Sequence, residues 1–521
     1  MEKKQSFITG AFILAAGGIF AKFLGIFFKV PLSQIIGDEG IGIYGLAYPI
    51  YNTFLSISTS GLPTAVSKMV SERANSGNLK GAYKVFRLAF ILLAVFGGIS
   101  SVIMLFGARI MADAMQEPRA YYSILALSLA PFFVAALSAL RGFFQGMQKM
   151  SYSSISQIIE QIVRVAAGVG TAYLLMKGTQ DLGKAAAGGT LGATAGGLAG
   201  LLFLICVFLV FRKKQQSLLS AQELYSEEPN KQIYKNLAII ALPVALGGLS
   251  TTIMGVINSF TVVSSMAEAG FSREMATAAF GILEQKVQTL INVPFILGTA
   301  LSTSLVPSIS ASYALKDKKK AVHKTSLATK LALLVAFPSA AGLNVLAEPI
   351  LTLIPFQYSQ SIAYDASILQ WMSFVIIFTL TMTTHQGILQ GAGHYYKPII
   401  NLVIGSAAKF ILNTVLIRIP SLNIYGAIIS TITASAIVFV LNLTAVKKSI
   451  GMNRIGGSVI KIIICTAAMG ITAKLGYWGL SMFMNAKAAT VIIIPVCIAV
   501  YGALILFTKA VTKEELSEAR G

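Results

Sequence analysis

Charge is scarce in this chain. Asp, Glu, Lys and Arg make up 12% of its 521 residues, while 55% are hydrophobic. Water-soluble domains carry about 25% charged residues, so a soluble fold of this length is excluded. Acids are scarcest, with 20 Asp and Glu against 41 Lys and Arg, for a formal net charge of +21. Cysteine and histidine occur three times each. Cys206, Cys465 and Cys497 sit in apolar runs without paired spacing, which suits small core residues rather than a disulfide framework or metal site. His323, His385 and His394 form no metal-ligand pattern. The chain also lacks a Walker A loop, an H-E-x-x-H segment and a nucleophile elbow. An ATP-driven pump or an intramembrane hydrolase therefore finds no motif, and no metal, cofactor or enzymatic activity is expected.

Long apolar runs fill the space that charge leaves, and mean hydropathy is +0.75. Spans are read at about 6–30, 40–62, 86–108, 120–140, 153–176, 186–211, 236–264, 276–306, 331–353, 364–390, 398–417, 424–446, 459–476 and 488–509. Fourteen spans of about 20 residues use roughly 280 positions, which matches a polytopic membrane protein with little soluble mass. About 28 Lys and Arg fall on the side shared by both termini, about 8 fall opposite, and the acids divide evenly. That bias predicts a cell-membrane protein with both termini cytoplasmic. It also explains the basic loops, densest from Lys316 to Lys324, without nucleic acid. The first apolar run has no small-residue cleavage site before Pro31, and it is read as a retained span rather than a signal peptide.

The chain repeats itself at an offset of about 245 residues. Ser58-Thr59-Ser60-Gly61-Leu62-Pro63 returns as Ser302-Thr303-Ser304-Leu305-Val306-Pro307. Arg141-Gly142-Phe143-Phe144-Gln145-Gly146 returns as Gln386-Gly387-Ile388-Leu389-Gln390-Gly391, and Gly17-Gly18 with Gly25 returns as Gly247-Gly248 with Gly255. Six spans per copy is an even number, so the copies share one orientation, as in transporters built from parallel repeats. The expected fold is all-α, with about fourteen transmembrane helices in two parallel-repeat six-helix lobes plus two extra C-terminal helices. The expected division is an N-terminal lobe at 1–212, a cytoplasmic linker at 213–235, a C-terminal lobe at 236–447, and helices thirteen and fourteen with a tail at 448–521.

Apart from residues near span ends, seven ionisable residues within spans are singled out: Lys22, Lys29, Glu160, Arg164, Glu284, Lys286 and Lys409. Each costs roughly 2.5–3.5 kcal/mol at the centre of a lipid-facing helix, so most must face protein or water. Gly18, Lys22, Gly25 and Lys29 follow one helical stripe, a basic groove lined by glycine. At the repeat offset the stripe keeps its shape and loses its charge, as Gly248, Thr252, Gly255 and Ser259. In span five, Gln157, Glu160, Gln161 and Arg164 share a face, and Glu160 and Arg164 are spaced for an ion pair. Arg164 corresponds to Lys409, while Glu160 corresponds to Gly405. In span eight Gly281, Glu284 and Gln288 share a face, with Pro294 expected to break the helix. Lys286 is about 200° from Glu284 on a straight helix, so one of the two needs a partner elsewhere. Five cations against two acids suit an anion, most naturally a phosphate or diphosphate.

The 6+6+2 layout, the Leu24-Gly25 groove, and Leu297-Gly298-Thr299-Ala300-Leu301 running into Val306-Pro307-Ser308 resemble the MurJ-type lipid II flippases of the multidrug/oligosaccharidyl-lipid/polysaccharide (MOP) exporter superfamily, in the branch of stage V sporulation protein B-like proteins. The resemblance implies a MATE-like fold and a polyprenyl-diphosphate-linked saccharide as substrate, foremost the peptidoglycan precursor. It further implies membrane lipids and cell-wall synthesis proteins as partners, and basic residues of span one on the diphosphate. Lys22 stands at the first such position; Phe28 holds the second, with Lys29 next to it. The family's arginine after span two has no match near Pro49 to Phe54, and Lys286 is the nearest cation to its arginine in span eight. The expected substrate residues are Lys22, Lys29, Arg164, Glu284 and Lys286, supported by Gly18, Gly25, Glu160, Gln288 and Lys409. Coupling to the membrane potential or to a monovalent cation stays open at this point, as do a cation-coupled multidrug exporter of the MATE type, a flippase for another polysaccharide precursor and a non-transporting scaffold.

Overall fold

The computed structural model describes residues 7–216, 228–304, 306–357, 361–512 and 515. They are overwhelmingly helical, and no strand occurs among them. Helices satisfy every internal backbone group within one segment, which hydrocarbon demands. Among the described residues, ten helices are long and apolar enough to cross a membrane. Expected spans one, two, seven and eight fall on further helices. The protein is a multi-pass membrane protein, and its chain divides into two compact units: Met1–Ser264 with Arg273–Gly281, and Ser265–Ser272 with Ile282–Gly521.

The first unit holds α1 (Phe7–Ser60), α2 (Leu62–Asn75), α3 (Leu79–Ala114), α4 (Ala120–Leu127), α5 (Ala130–Gly146), α6 (Met150–Thr179), α7 (Leu182–Lys214), most of α8 (Asn230–Glu268), and α9 (Arg273–Gly281). Spans one and two run together as α1, broken at Gly37, whose φ of 65° and ψ of −172° suit only glycine. The break is a seat for α9. A Cβ on Gly42 would lie 2.0 Å from the Thr277 carbonyl oxygen, and one on Gly281 would lie 2.6 Å from that of Asp38. Buried Glu117 fastens the seat, accepting hydrogen bonds from Arg119 Nε (2.7 Å), Arg119 Nη2 (2.8 Å) and Thr277 Oγ1 (2.7 Å). At the other end of the unit, Glu228 accepts from Arg73 and Asn236, and its carbonyl accepts from Lys84 Nζ at 2.9 Å. Polar caps stop the chain fraying at loops: Asn78 Oδ1 accepts from Gly81 N at 2.7 Å, and Asp181 Oδ1 from Gly183 N at 2.8 Å. Along α3, Ile91, Val95, Ile99, Val102, Phe106 and Ile110 are exposed at helical spacing, a stripe that hydrocarbon stabilises and water would not.

The second unit takes Ser265–Ser272, which holds the end of α8, resumes with a π-helical turn, Ile282–Val287, and continues through α10 (Gln288–Ser304), α11 (Val306–Ala314), α12 (Lys318–Val345), α13 (Ala347–Leu353), α14 (Ile362–Met372), α15 (Val375–Gly391), α16 (Tyr396–Leu416), α17 (Ile424–Ser449), α18 (Gly456–Ser481) and α19 (Ala486–Phe507). The expected break at Pro294 is not where the helix departs from α geometry. Pro294 lies inside α10, and the irregularity sits two turns earlier in the π-helical turn. Proline removes a single donor, which a membrane helix tolerates, whereas the π turn inserts a residue and rotates everything before it.

The duplicated motifs pack on one another, separately in each unit. Ser58 to Ser60 close α1 and Pro63 opens α2; Ser302 to Ser304 close α10 before α11. Arg141–Gly146 ends α5, and a Cβ on Gly142 or Gly146 would lie 2.8 Å from the Pro63 carbonyl or 2.7 Å from that of Ser67. Gln386–Gly391 ends α15, and there a Cβ on Gly387 or Gly391 would lie 3.2 Å from Val306 Cγ2 or 2.4 Å from Ser310 Oγ. Both are G-x-x-x-G faces that let a neighbouring backbone approach. Each chain then turns at positive φ, at Gln148 (57°) and Gly393 (83°).

After α19, buried Ala510 and Val511 pack with Ile462, Cys465 and Ile505. Thr512 and Glu515 form a reciprocal cap, with Thr512 N donating to Glu515 Oε2 (2.9 Å) and Glu515 N to Thr512 Oγ1 (3.2 Å). Lys330 Nζ on α12 donates to both Glu515 oxygens, at 2.9 and 2.7 Å. Burial pushes the Glu515 carboxyl up, but the Lys330 hydrogen bond and the Thr512 amide outweigh it and hold it below its ordinary value. A depressed folded-state value stabilises tail docking above the unfolded value of about 4.3, and the contribution is lost as pH falls through the folded value. Intrinsic-rate-corrected hydrogen exchange should therefore report protection at the Glu515 amide that is lost as pH falls from about 5 through the depressed folded value, and Glu515→Gln should abolish that dependence.

Candidate functional site

The polar face of α6 is the most developed site of the first unit. Glu160 lies ten residues into α6, about 15 Å along its axis, which places it deep in the bilayer. Its carboxylate is shared: Arg164 Nη2 donates to Oε1 at 3.0 Å, and Arg141 Nη2 from α5 donates to Oε2 at 2.9 Å. Arg141 Nε also donates to Ser156 Oγ at 2.9 Å. Two guanidiniums on one carboxylate leave an excess of one positive charge where the dielectric is low.

Tyrosines of α1 border this triad. The Arg164 guanidinium is within electrostatic reach of Tyr51, Tyr48 and Tyr44. Their rings form a series, 4.6 Å between the centroids of Tyr44 and Tyr48 and 5.9 Å between those of Tyr48 and Tyr51. Gln157 Oε1 is buried without a hydrogen-bond partner among the described residues, and buried Tyr51 OH and Arg164 Nε have no well-aligned partner beyond the contact of Tyr51 with the Arg164 side chain. An unsatisfied buried polar atom costs about 1–3 kcal/mol, so this face carries polar demand that the fold leaves open.

The basic stripe of α1 reaches the same helix. A Cβ on Gly25 would lie 3.8 Å from Gln161 Oε1, and Phe28, one turn further on, is buried against Gly168. Lys29 is half-buried. Lys22 and Gly18 lie on α1, but their side-chain positions fall outside the described residues. Glycines of α7 let α6 sit close: a Cβ on Gly192 would lie 2.4 Å from the Arg164 carbonyl oxygen, and one on Gly196 2.5 Å from that of Glu160. Gly192→Ala should therefore displace the triad and lower stability by about 1–3 kcal/mol in a thermal melt of detergent-solubilised protein. Gly170→Ala, which meets open space, should leave the melt unchanged.

The remaining expected residues lie in the second unit. Lys286, in the π turn, donates from Nζ to Asp365 Oδ2 (3.0 Å) and to the Gln357 carbonyl (2.5 Å), with the Phe356 ring centroid 5.8 Å away. Both members of this ion pair are 1% exposed. Glu284 is half-buried and within electrostatic reach of Lys409, which is buried in α16. Gln288 Nε2 donates to Asn292 Oδ1 at 3.1 Å. The structure thus brings Gly25, Glu160 and Arg164 together in one unit, and Glu284 with Lys409 in the other. Sequence reasoning missed Arg141, Tyr51 and Asp365 as members of these clusters. Arg141 carried a signal, since it opens a repeated motif and has a neutral counterpart, Gln386.

Residues 7–313 match the family model described as polysaccharide biosynthesis protein. The chain belongs to the polysaccharide biosynthesis protein family. The MatE model matches residues 243–415 of this family member, in keeping with the MOP superfamily. Stage V sporulation protein B of Bacillus subtilis (strain 168) is 30% identical over 98% of this chain and 97% of its own. Lipid II flippase MurJ of the same organism is 28% identical over 96% of this chain and 94% of its own. A solved structure of lipid II flippase MurJ, in an inward closed conformation, is similar with a TM-score of 0.62 at 17% identity, over 95% of this chain and 98% of that one. This polysaccharide biosynthesis family member is accordingly a flippase or transporter of the MOP superfamily.

Proposed function

We propose that the protein flips a polyprenyl-diphosphate-linked saccharide outward across the cytoplasmic membrane by alternating access, with both termini cytoplasmic and no covalent chemistry on the substrate. The undecaprenyl-diphosphate peptidoglycan precursor, lipid II, is the first candidate. The observation that carries the reading is the buried Arg141–Glu160–Arg164 triad, with its excess positive charge, on the helix that packs against the Lys29 stripe of α1. In this reading Lys22, Lys29 and Arg164 hold the diphosphate, and the lipid tail stays in hydrocarbon. Two negative charges moving outward across an inside-negative membrane gain about 4.6 kcal/mol per 100 mV, so the potential supplies direction without ATP. The combined variant Lys22→Ala, Lys29→Ala is expected to fail in rescuing cells depleted of their own lipid II flippase; full rescue at normal expression would sink the reading. The MatE match over residues 243–415 favours one rival, a cation-coupled multidrug exporter. That rival requires drug resistance on overexpression, which the flippase reading does not.

A further inference from the structure

We propose that Tyr51 and Gln157, with Gln161 and the half-buried ring of Tyr48, form a saccharide subsite between α1 and α6, beside the Arg164 cation. The proposal rests on the lipid-linked saccharide reading and names the part of the substrate that this face recognises. The hydrogen-bonding capacity left open decides the ligand chemistry. Gln157 Oε1 needs a donor, and Tyr51 OH, in contact with the Arg164 side chain, can still give and take. An ionised phosphate is acceptor-only and leaves Gln157 unsatisfied, while a hydrocarbon tail satisfies neither group. Sugar hydroxyls donate and accept, so a saccharide is the component of such a substrate that serves both.

Position supports the assignment. Tyr51 is fourteen residues past the Gly37 break, about 21 Å along α1, while Glu160 is about 15 Å into α6 from the opposite side, so both stand deep in the bilayer. Gln157 is one turn from Glu160 on the same face, and Tyr51 is within electrostatic reach of both Glu160 and Arg164. Gln157, Gln161, Arg164 and Tyr48 are half-buried, so the face is reachable, and a rotation of the Gln157 amide presents its covered oxygen to a ligand. Glycine at position 25 leaves room opposite Gln161, whose Oε1 would lie 3.8 Å from a Cβ there. The ring of Tyr48, edge-on to Tyr51, offers the apolar surface against which a sugar's C–H face packs.

The test compares two probes on the full chain in lipid nanodiscs: undecaprenyl diphosphate alone, and the same lipid carrying the disaccharide pentapeptide. The wild type should prefer the saccharide-bearing lipid. Tyr51→Phe and Gln157→Met should each cut that preference by about tenfold while leaving affinity for the bare diphosphate lipid unchanged. Retained binding of the bare lipid also reports a folded protein. Preference unaltered in both variants would overturn the subsite, and so would a parallel loss for both lipids, which would mean that Tyr51 and Gln157 serve only the fold. A wild type that binds both lipids equally would overturn the saccharide subsite and leave the diphosphate site standing. A wild type that binds neither would overturn the lipid-linked reading itself.

Discussion

Glu160→Leu is expected to cost the protein most of its folded yield. The substitution leaves the Arg141 and Arg164 guanidiniums without their carboxylate, in a setting where their side chains are only 13% and 19% exposed. Breaking a buried pair by removing one partner costs about 3–5 kcal/mol, because the surviving charge keeps its desolvation penalty and loses its compensation. Here two charges survive and repel one another. Against a usual net stability of about 5–15 kcal/mol, that loss should show as aggregation in fluorescence-detected size exclusion and a sharply lowered melt. Arg141→Met should behave differently. Glu160 keeps Arg164 at 3.0 Å, so the fold survives, but the excess positive charge of the cluster is gone. Affinity for undecaprenyl diphosphate should then fall about tenfold or more, the value of one charge-assisted contact. If Arg141→Met bound the diphosphate lipid as well as wild type does, the excess charge would have no part in anion recognition. If Glu160→Leu were as stable as wild type, the two guanidiniums would not depend on Glu160 for their compensation.

Local patterns were legible in the sequence, and tertiary partners were not. Glu160 and Arg164 are four residues apart on one helix, so their pairing follows from helical geometry alone and is found at 3.0 Å. The G-x-x-x-G segments at Gly142–Gly146 and Gly387–Gly391 recur because each must admit a neighbouring helix, and that constraint acts within the copied unit. Arg141 joins Glu160 across a loop, and Asp365 joins Lys286 from 79 residues away; no periodicity carries such information. Asp365 also sits at the mouth of an apolar run, where an acid reads as part of a loop. A regular α-helix would set Lys286 about 200° from Glu284, but the π turn changes the phase at those very residues. The two side chains still take separate partners, Asp365 for one and the neighbourhood of Lys409 for the other.

Lys286 yields the sharpest test of whether a cation inside a span binds substrate or holds the fold. Its Nζ bonds Asp365 and the Gln357 carbonyl at once and lies over Phe356, so it ties the π turn to α14 and to the segment just before it. Lys286→Met alone strands the Asp365 carboxylate in a site 1% exposed, and should cost about 3–5 kcal/mol in a thermal melt. Adding Asp365→Leu removes the stranded charge. The double variant should recover most of that stability, since well-packed apolar residues replace a buried ion pair at little or no net cost. Transport then separates the two roles. A lysine that only fastens the turn predicts that the double variant regains lipid flipping along with its fold. A lysine that also meets a diphosphate predicts a fully folded protein that flips poorly, because methionine and leucine offer an anion nothing. The π turn itself makes the first outcome the expected one. It places Lys286 inward onto Asp365, and a side chain committed to three groups has little left for a ligand.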